Sequence, residues 1–113
     1  KGGMESVTIE EIRRLCRADL IRWTGHVAER MVKRQIAPSE VLYTLMHGEI
    51  IEDYPDDYPF PSCLVLAIEM NGRPIHVVCS IGNDELYIIT AYQPDTARWD
   101  ATFRIRRKGD DLS

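Results

Sequence analysis

Residues 63–92 read CLVLAIEMNGRPIHVVCSIGNDELYIITAY, which is three apolar segments separated by two short turns. Asn71-Gly72 is the strongest short hairpin signal, because both residue types accept a positive φ. Gly82-Asn83-Asp84 supplies the residue types of a second turn. The pattern predicts three antiparallel strands: Cys63–Met70, Arg73–Ile81 and Glu85–Tyr92.

A two-residue Asn-Gly loop also predicts the register of these strands. It places Ile68 opposite Ile75 and His76 opposite Ala67, because side chains alternate between the two faces of a sheet. The second turn places Ala91 on the other side of His76. The imidazole is then flanked by two alanines on a central strand, like the floor of a shallow recess, and it needs a hydrogen-bonding partner there.

The residues before this hairpin predict one more strand and three helices. Glu49–Tyr54 is a strand, and the proline-rich residues 55–62 form a loop. Apolar residues recur at helical spacing over 7–23 and 26–35, and a third helix begins at Pro38 and stops at Gly48. The predicted fold is therefore α+β: three N-terminal helices followed by a four-stranded antiparallel sheet, with the helices packed on one face.

The chain of 113 residues has the length of a single domain, and 44% apolar and 28% charged residues exclude a disordered chain. Lys1–Gly3 are interpreted as a vector-derived remnant, with Met4 as the native start and no signal peptide. No apolar run approaches the ~20 residues of a membrane span. The three cysteines are far apart and include no Cys-x-x-Cys, which argues against disulfides and a four-thiolate zinc site. We expect a reduced, cytoplasmic protein.

Charge is unevenly distributed along the chain. Residues 13–34 carry seven basic and two acidic side chains, residues 40–57 carry six acidic and no basic ones, and residues 98–108 carry five basic and one acidic. Either these segments complement one another within the fold, or the two basic ends form one face that meets phosphates. The first interpretation is favoured, because the formal net charge is −4 and the basic segments need not be adjacent.

Five side chains are candidates for chemistry. His26, Arg30 and Arg34 are spaced i, i+4 and i+8, so they form one stripe of the second helix, and an imidazole beside two guanidiniums suits phosphate chemistry. The alternative is a solvated helix face. His76 is either a reactive group or a hydrogen-bonded core histidine. Tyr92, at the end of a strand, can stack on a base or pack at the rim of the sheet.

Other motifs are absent from the sequence. There is no H-E-x-x-H, no glycine-rich phosphate loop and no Gly-x-Ser-x-Gly. No metal and no cofactor are therefore predicted. Glu49, Glu52 and Asp53 can supply a carboxylate near His76, although a solvated strand and loop explains them as well.

A set of these residues resembles the bacterial domain-of-unknown-function family 4258, over about residues 24–105. The set is His26-x-x-x-Arg30-Met31-x-x-Arg34-x-Ile36, Gly48-Glu49-Ile50-Ile51, Pro74-x-His76-Val77-Val78 and Thr90-x-Tyr92-x-Pro94-Asp95 with Trp99. That family is similar in length and element order to RelE/ParE/BrnT-like toxins, several of which cleave RNA without a metal. The resemblance implies a toxin-like ribonuclease of a toxin–antitoxin-type system, with RNA as substrate and an antitoxin-like protein as partner.

Two hypotheses follow. In the first, the protein is a metal-independent endoribonuclease, with His76 and His26 as catalytic acid and base, Arg30 and Arg34 as phosphate clamps, and Tyr92 stacking or hydrogen bonding. In the second, it is a non-catalytic protein-binding or regulatory domain in which the same residues are structural, and a homodimer is one form that it can take. Catalysis requires the candidates to converge on one open cleft, whereas the second hypothesis predicts a buried, hydrogen-bonded His76.

Overall fold

The computed structural model describes residues 6–108, which form three helices and a five-stranded mixed sheet. Lys1–Gly3 and Met4, interpreted above as a remnant and a native start, lie outside the described residues. The strand order is β1-β5-β4-β3-β2, with β1 parallel to β5 and the other neighbours antiparallel. The elements are α1 (Ile9–Arg17), β1 (Ile21–Trp23), α2 (Val27–Lys33), α3 (Pro38–His47), β2 (Glu49–Tyr54), β3 (Ser62–Ile68), β4 (Pro74–Gly82) and β5 (Glu85–Tyr92).

The prediction of a four-stranded antiparallel sheet is wrong, because the predicted first helix is in fact a helix followed by a strand. α1 ends at Arg17, and Asp19 then adopts a φ of 59°. The N–H of Leu20 donates to the carbonyl of Leu15 at 3.0 Å, as in a Schellman motif. Aspartate tolerates this left-handed conformation without the glycine that would mark a helix end in the sequence. The next three residues form β1, which is too short to show a period of two.

The predicted register of the β3–β4 hairpin is wrong by one residue. The two strands are joined by residues 69–73 rather than by two residues alone. The N–H of Gly72 donates to the carbonyl of Glu69 at 2.8 Å, and Gly72 itself has a φ of +89°. Asn-Gly therefore lies in the turn, as predicted, but the turn is longer than its sequence signal indicates.

The position of His76 changes with the register. Its partner on β3 is Leu66 rather than the predicted Ala67. β5 also carries a bulge at Ile89, which shifts its pairing with β4, and there the partner of His76 is Tyr92 rather than Ala91. His76 is thus flanked by a leucine and a tyrosine, and no recess between two alanines forms.

All three helices pack on one face of the sheet. Leu15, Met31 and Leu45, one from each helix, belong to one buried apolar cluster with alternate residues of β3 and β4, such as Val65 and Val77. Fully burying a side chain of this size contributes about 1.5–3 kcal/mol, so this face is the main source of stability. Within residues 6–108, no helix is both long enough and apolar enough to cross a membrane.

The opposite face of the sheet is covered by the residues that follow β5. We name residues 94–108 the C-terminal strap. It contains no helix and no strand of the sheet, and its single antiparallel bridge joins Trp99 to Arg106. The strap crosses to the far edge of the sheet, where Arg106 pairs with Glu52 of β2 at 3.1 Å and Arg104 pairs with Glu49. The basic end of the chain and its acidic middle thus complement each other in part.

Candidate functional site

His76 lies in β4 on the face covered by the strap, and it is completely buried. Its ring packs perpendicular to that of Trp99, with 4.5 Å between centroids and an interplanar angle of 89°. Nε2 is 2.9 Å from the carbonyl oxygen of Phe103, and Nδ1 is 3.3 Å from the hydroxyl of Tyr92. Both ring nitrogens therefore have a partner inside the protein.

These contacts determine where the protons are. A carbonyl oxygen only accepts, so His76 Nε2–H donates to Phe103. Burial lowers the pKa of His76 below its ordinary 6.5, and the ring is neutral. A neutral imidazole keeps one acceptor nitrogen. Burial also raises the pKa of Tyr92 above 10, so the hydroxyl keeps its proton and donates it to Nδ1.

The neutral His76 makes the free energy of unfolding depend on pH. Because the pKa of His76 is lower in the folded state, the unfolded chain binds more protons between that value and about 6.5. The stabilisation is complete above about pH 6.5 and is lost as the pH falls towards the folded-state pKa. We expect H76Q, which can still donate to Phe103 and accept from Tyr92, to lose this part of the pH dependence in urea unfolding.

The matched control for this prediction is H26Q, because the side chain of His26 is 78% exposed. We expect H26Q to keep the pH dependence of the original chain. If H76Q and H26Q show the same loss of stability between neutral and acidic pH, His76 is not neutral in the folded protein.

A cleft of about 440 Å³ opens beside His76 and Tyr92, between the end of α2, the end of β5 and the strap. Arg34, the residue after α2, donates from Nη1 to the carbonyl of Ala91 at 2.8 Å and to the hydroxyl of Thr90 at 3.1 Å. Both acceptors are neutral, so they hold the guanidinium without cancelling its charge. The cleft is lined by Arg34, Tyr92, Gln93, Pro94, Asp95, Arg98, Trp99 and Arg106.

Arg106 connects the cleft to the edge of the sheet. Its guanidinium carbon lies 4.6 Å from the centroid of the Trp99 ring, and its Nε and Nη2 donate to the carboxylate of Glu52. Tyr54 donates to the same carboxylate, and burial together with this hydrogen bond raises the pKa of Tyr54 to about 12. Glu52, considered above as a carboxylate near His76 or as a solvated residue, therefore links β2 to the strap.

The structure brings together three of the five predicted site residues. Arg34 and Tyr92 line the cleft, and His76 lies directly behind Tyr92. Arg30 on α2 and His26 immediately before it are exposed, and neither lines the cleft. The three residues predicted to share one face of α2 are therefore separated. Arg34 lies just past the end of the helix, and its side chain contacts β5.

Six of the residues that line the cleft are missing from the predicted set, and three of them supply the charge and the indole ring. Arg98, Trp99 and Arg106 all belong to the C-terminal strap. The signal for them is the basic run over residues 98–108, together with the hypothesis of one basic face formed by both ends of the chain. The structure places Arg34 from the first basic segment and Arg98 from the second in the same cleft.

Other chemistry has less support in this structure. Within residues 6–108, no group of three His, Cys, Asp or Glu side chains is placed to hold a metal ion. The three cysteines are free, and Cys63 and Cys79 face each other in the core with 3.9 Å between their sulfur atoms. Buried thiols of this kind behave as small apolar side chains.

These features define a small α+β domain with helices on one face of the sheet, the strap on the other, and an arginine-lined cleft between the end of α2, the end of β5 and the strap. Residues 23–93 match the family described as Domain of unknown function (DUF4258), and the chain belongs to this family. The match includes Arg34, His76 and Tyr92 and ends before the strap. No curated protein and no solved structure matches the chain. The predicted family is confirmed, whereas its similarity to RelE/ParE/BrnT-like toxins and the cytoplasmic location stay predictions.

Proposed function

We propose that this domain binds single-stranded RNA in the arginine-lined cleft and does not cleave it. The observation that carries the proposal is the convergence of Arg34 with Arg98 and Arg106, which are distant in sequence, around one cleft. A guanidinium is always charged, and its planar N–H donors match the oxygens of a phosphate. Tyr92 adds an aromatic ring on which a base can stack.

The charges of the cleft favour an anion. Among residues 6–108, no carboxylate forms an ion pair with Arg34 or Arg98. The lining contains one carboxylate, that of Asp95, whose Oδ1 accepts from the backbone N–H groups of Ala97 and Arg98 at 2.9 and 3.0 Å. Among the described residues, the guanidiniums of Arg34 and Arg98 thus line the cleft without an ion-paired carboxylate, whereas that of Arg106 is paired with Glu52.

The size of the cleft favours a single strand over a duplex. Its volume of about 440 Å³ lies in the range of small-ligand sites and accommodates one or two nucleotides. Binding of a duplex needs a larger basic surface, and the formal net charge of −4 disfavours such binding. Affinity therefore depends on a few phosphate contacts in one place.

The geometry supports binding more than the ribonuclease predicted from the resemblance. General acid–base catalysis needs proton-transfer groups within hydrogen-bonding reach of the bound phosphate. His76 is buried behind Tyr92 with both ring nitrogens occupied, and His26 does not line the cleft. In the proposal, His76 is a structural residue, as the second hypothesis requires. A toxin-type activity would need another pair of proton-transfer groups.

We expect Arg98→Ala to weaken binding of an oligoribonucleotide of about ten residues by about 5- to 10-fold, because one charge-assisted contact to a phosphate is lost. Fluorescence anisotropy of a labelled RNA over a range of salt concentrations measures both affinity and salt dependence. With two or three phosphates neutralised on a single strand, the slope of log K against log salt is about −1.4 to −2. Arg98→Ala should reduce its magnitude by about 0.7.

Arg14→Ala is the matched control, because it removes the same charge at the other end of β5. Arg14 pairs with Asp84 in the β4–β5 turn at 2.8 Å and does not line the cleft. Its RNA affinity should equal that of the original chain. Absence of binding by the original chain would overturn the proposal, and shortened RNA products after incubation would contradict binding without cleavage.

A further inference from the structure

The hydroxyl of Tyr92, a residue that lines the cleft, donates in a fixed direction. It is the one hydroxyl among the side chains that line the cleft within the described residues. A tyrosine hydroxyl has one proton to donate and lone pairs that accept. Its proton is directed to Nδ1 of His76, at 3.3 Å, so only the lone pairs of the oxygen remain for a ligand.

This direction is imposed by two groups that contact His76. The carbonyl of Phe103 requires the proton of His76 to be on Nε2, at 2.9 Å, and this leaves Nδ1 as an acceptor. The ring of Trp99 packs against the imidazole, which is completely buried. The chain Phe103–His76–Tyr92 therefore leaves the lone pairs of the hydroxyl oxygen as acceptors on a residue that lines the cleft.

The other polar side chains of the cleft either only donate hydrogen bonds or already accept them from groups of the protein. Guanidiniums donate and never accept, so they suit phosphate oxygens. The side-chain oxygen of Gln93 accepts from Nε of Arg73 at 3.1 Å, and Oδ1 of Asp95 accepts from backbone N–H groups. Tyr92 is thus the neutral acceptor placed beside the phosphate-binding donors, where a ligand hydroxyl can donate to it.

We infer that the cleft selects ribose over 2′-deoxyribose, with the 2′-hydroxyl of a bound nucleotide donating to the oxygen of Tyr92 while the arginines hold the neighbouring phosphate. The inference rests on the proposed function, because it names the sugar that the same site accepts. His76 is a positioning residue in this scheme: it acts on the ligand through Tyr92. The 2′-hydroxyl is the group by which a protein distinguishes RNA from DNA at a given site.

Three oligonucleotides of one sequence test the inference: RNA, DNA with uracil in place of thymine, and 2′-fluoro RNA. We expect RNA to bind about 3- to 10-fold more tightly than DNA, the effect of one hydrogen bond. The 2′-fluoro RNA lacks the donor but keeps the sugar conformation of RNA, and it should bind like DNA. If it binds like RNA, the preference comes from sugar conformation and the inference is wrong.

Variants separate the hydroxyl contact from a structural role. Tyr92→Phe should lose the preference for RNA. H76Q should keep it, because a glutamine can donate to Phe103 and accept from Tyr92, whereas His76→Leu should lose it. A preference that survives Tyr92→Phe would overturn the inference. Because His76→Leu can fail to fold, the three-ligand comparison and Tyr92→Phe decide the result without it.

The outcomes distinguish this inference from the proposed function. If neither RNA nor DNA binds, the proposed function fails and the inference fails with it. If both bind equally, the domain still binds nucleic acid, and only the selection of ribose is wrong. Free uridine monophosphate carries the same sugar and phosphate. Binding of this nucleotide without binding of the oligomer would overturn the assignment to RNA.

Discussion

Replacing Trp99 with alanine is expected to lower the free energy of unfolding by about 3–5 kcal/mol, the range for removing a buried large aromatic side chain. Trp99 is 3% exposed although it lies in a segment without regular secondary structure. Its ring packs perpendicular to that of His76, and the guanidinium of Arg106 lies over the indole. Without the indole, the strap loses its main apolar contact, and His76 loses the cover that keeps it from water.

The matched control for this change is Trp23→Ala, because the sequence has two tryptophans and Trp23 is 37% exposed on the edge strand β1. We expect Trp23→Ala to cost about 1 kcal/mol, the typical value for a point mutation. Urea unfolding followed by far-UV circular dichroism measures both variants. If Trp99→Ala costs no more than Trp23→Ala, the strap contributes little to the folded state and the cleft that it lines is not stable.

The strap is stabilised mainly by burial and only weakly by its ion pairs. The pair between Arg106 and Glu52 and the pair between Arg104 and Glu49 are both partly exposed. Exposed pairs contribute about 0–1 kcal/mol each. The ion pairs therefore set the position of the strap along β2, whereas Trp99 supplies most of the energy that holds it on the sheet.

The sequence predicts the interior of this fold better than its edges. The strands around Asn71-Gly72 and three helices follow from apolar periodicity, and the bounds of Glu49–Tyr54 agree with the structure. β1 was missed because its apolar residues continue the helical spacing of α1, while the break at Asp19 involves no glycine or proline. The α+β class holds, but a three-residue parallel strand at the edge depends on tertiary contacts that no local pattern reports.

The sequence also predicts some residues of the candidate site but not the contacts between them. His76 and Tyr92 were predicted separately, as a polar residue in an apolar strand and as an aromatic residue at a strand end. Their hydrogen bond depends on a bulge at Ile89 of β5, which has no signal in the sequence. Arg98 and Arg106 lie in a segment whose apolar residues have neither helical nor strand periodicity. The sequence therefore shows their positive charge but does not predict that they line the same cleft as Arg34.

Gly48→Ala is expected to lower the free energy of unfolding by about 3 kcal/mol, the upper part of the range for overpacking. Gly48 separates α3 from β2 and was predicted as a helix stop, yet its φ of −92° is open to every residue. A Cβ at this position would lie 2.4 Å from the carbonyl oxygen of Leu66 and 2.5 Å from that of Thr44. Both are backbone atoms, so the strain can be relieved only by moving β2 away from β3 or by opening the last turn of α3.

Gly72→Ala is the control for steric crowding. At Gly72 the backbone conformation is unfavourable for alanine but there is space for a Cβ, whereas at Gly48 the conformation is allowed but the space is absent. Gly72 has a φ of +89°, and nothing lies within 4 Å of a Cβ built on it. Its replacement should cost only the strain of a left-handed residue, about 1–2 kcal/mol. Urea unfolding at one pH compares the two variants. A cost at Gly48 no greater than the cost at Gly72 would mean that β2 and β3 can separate easily, in which case the edge that anchors Arg104 and Arg106 through Glu49 and Glu52 is loose.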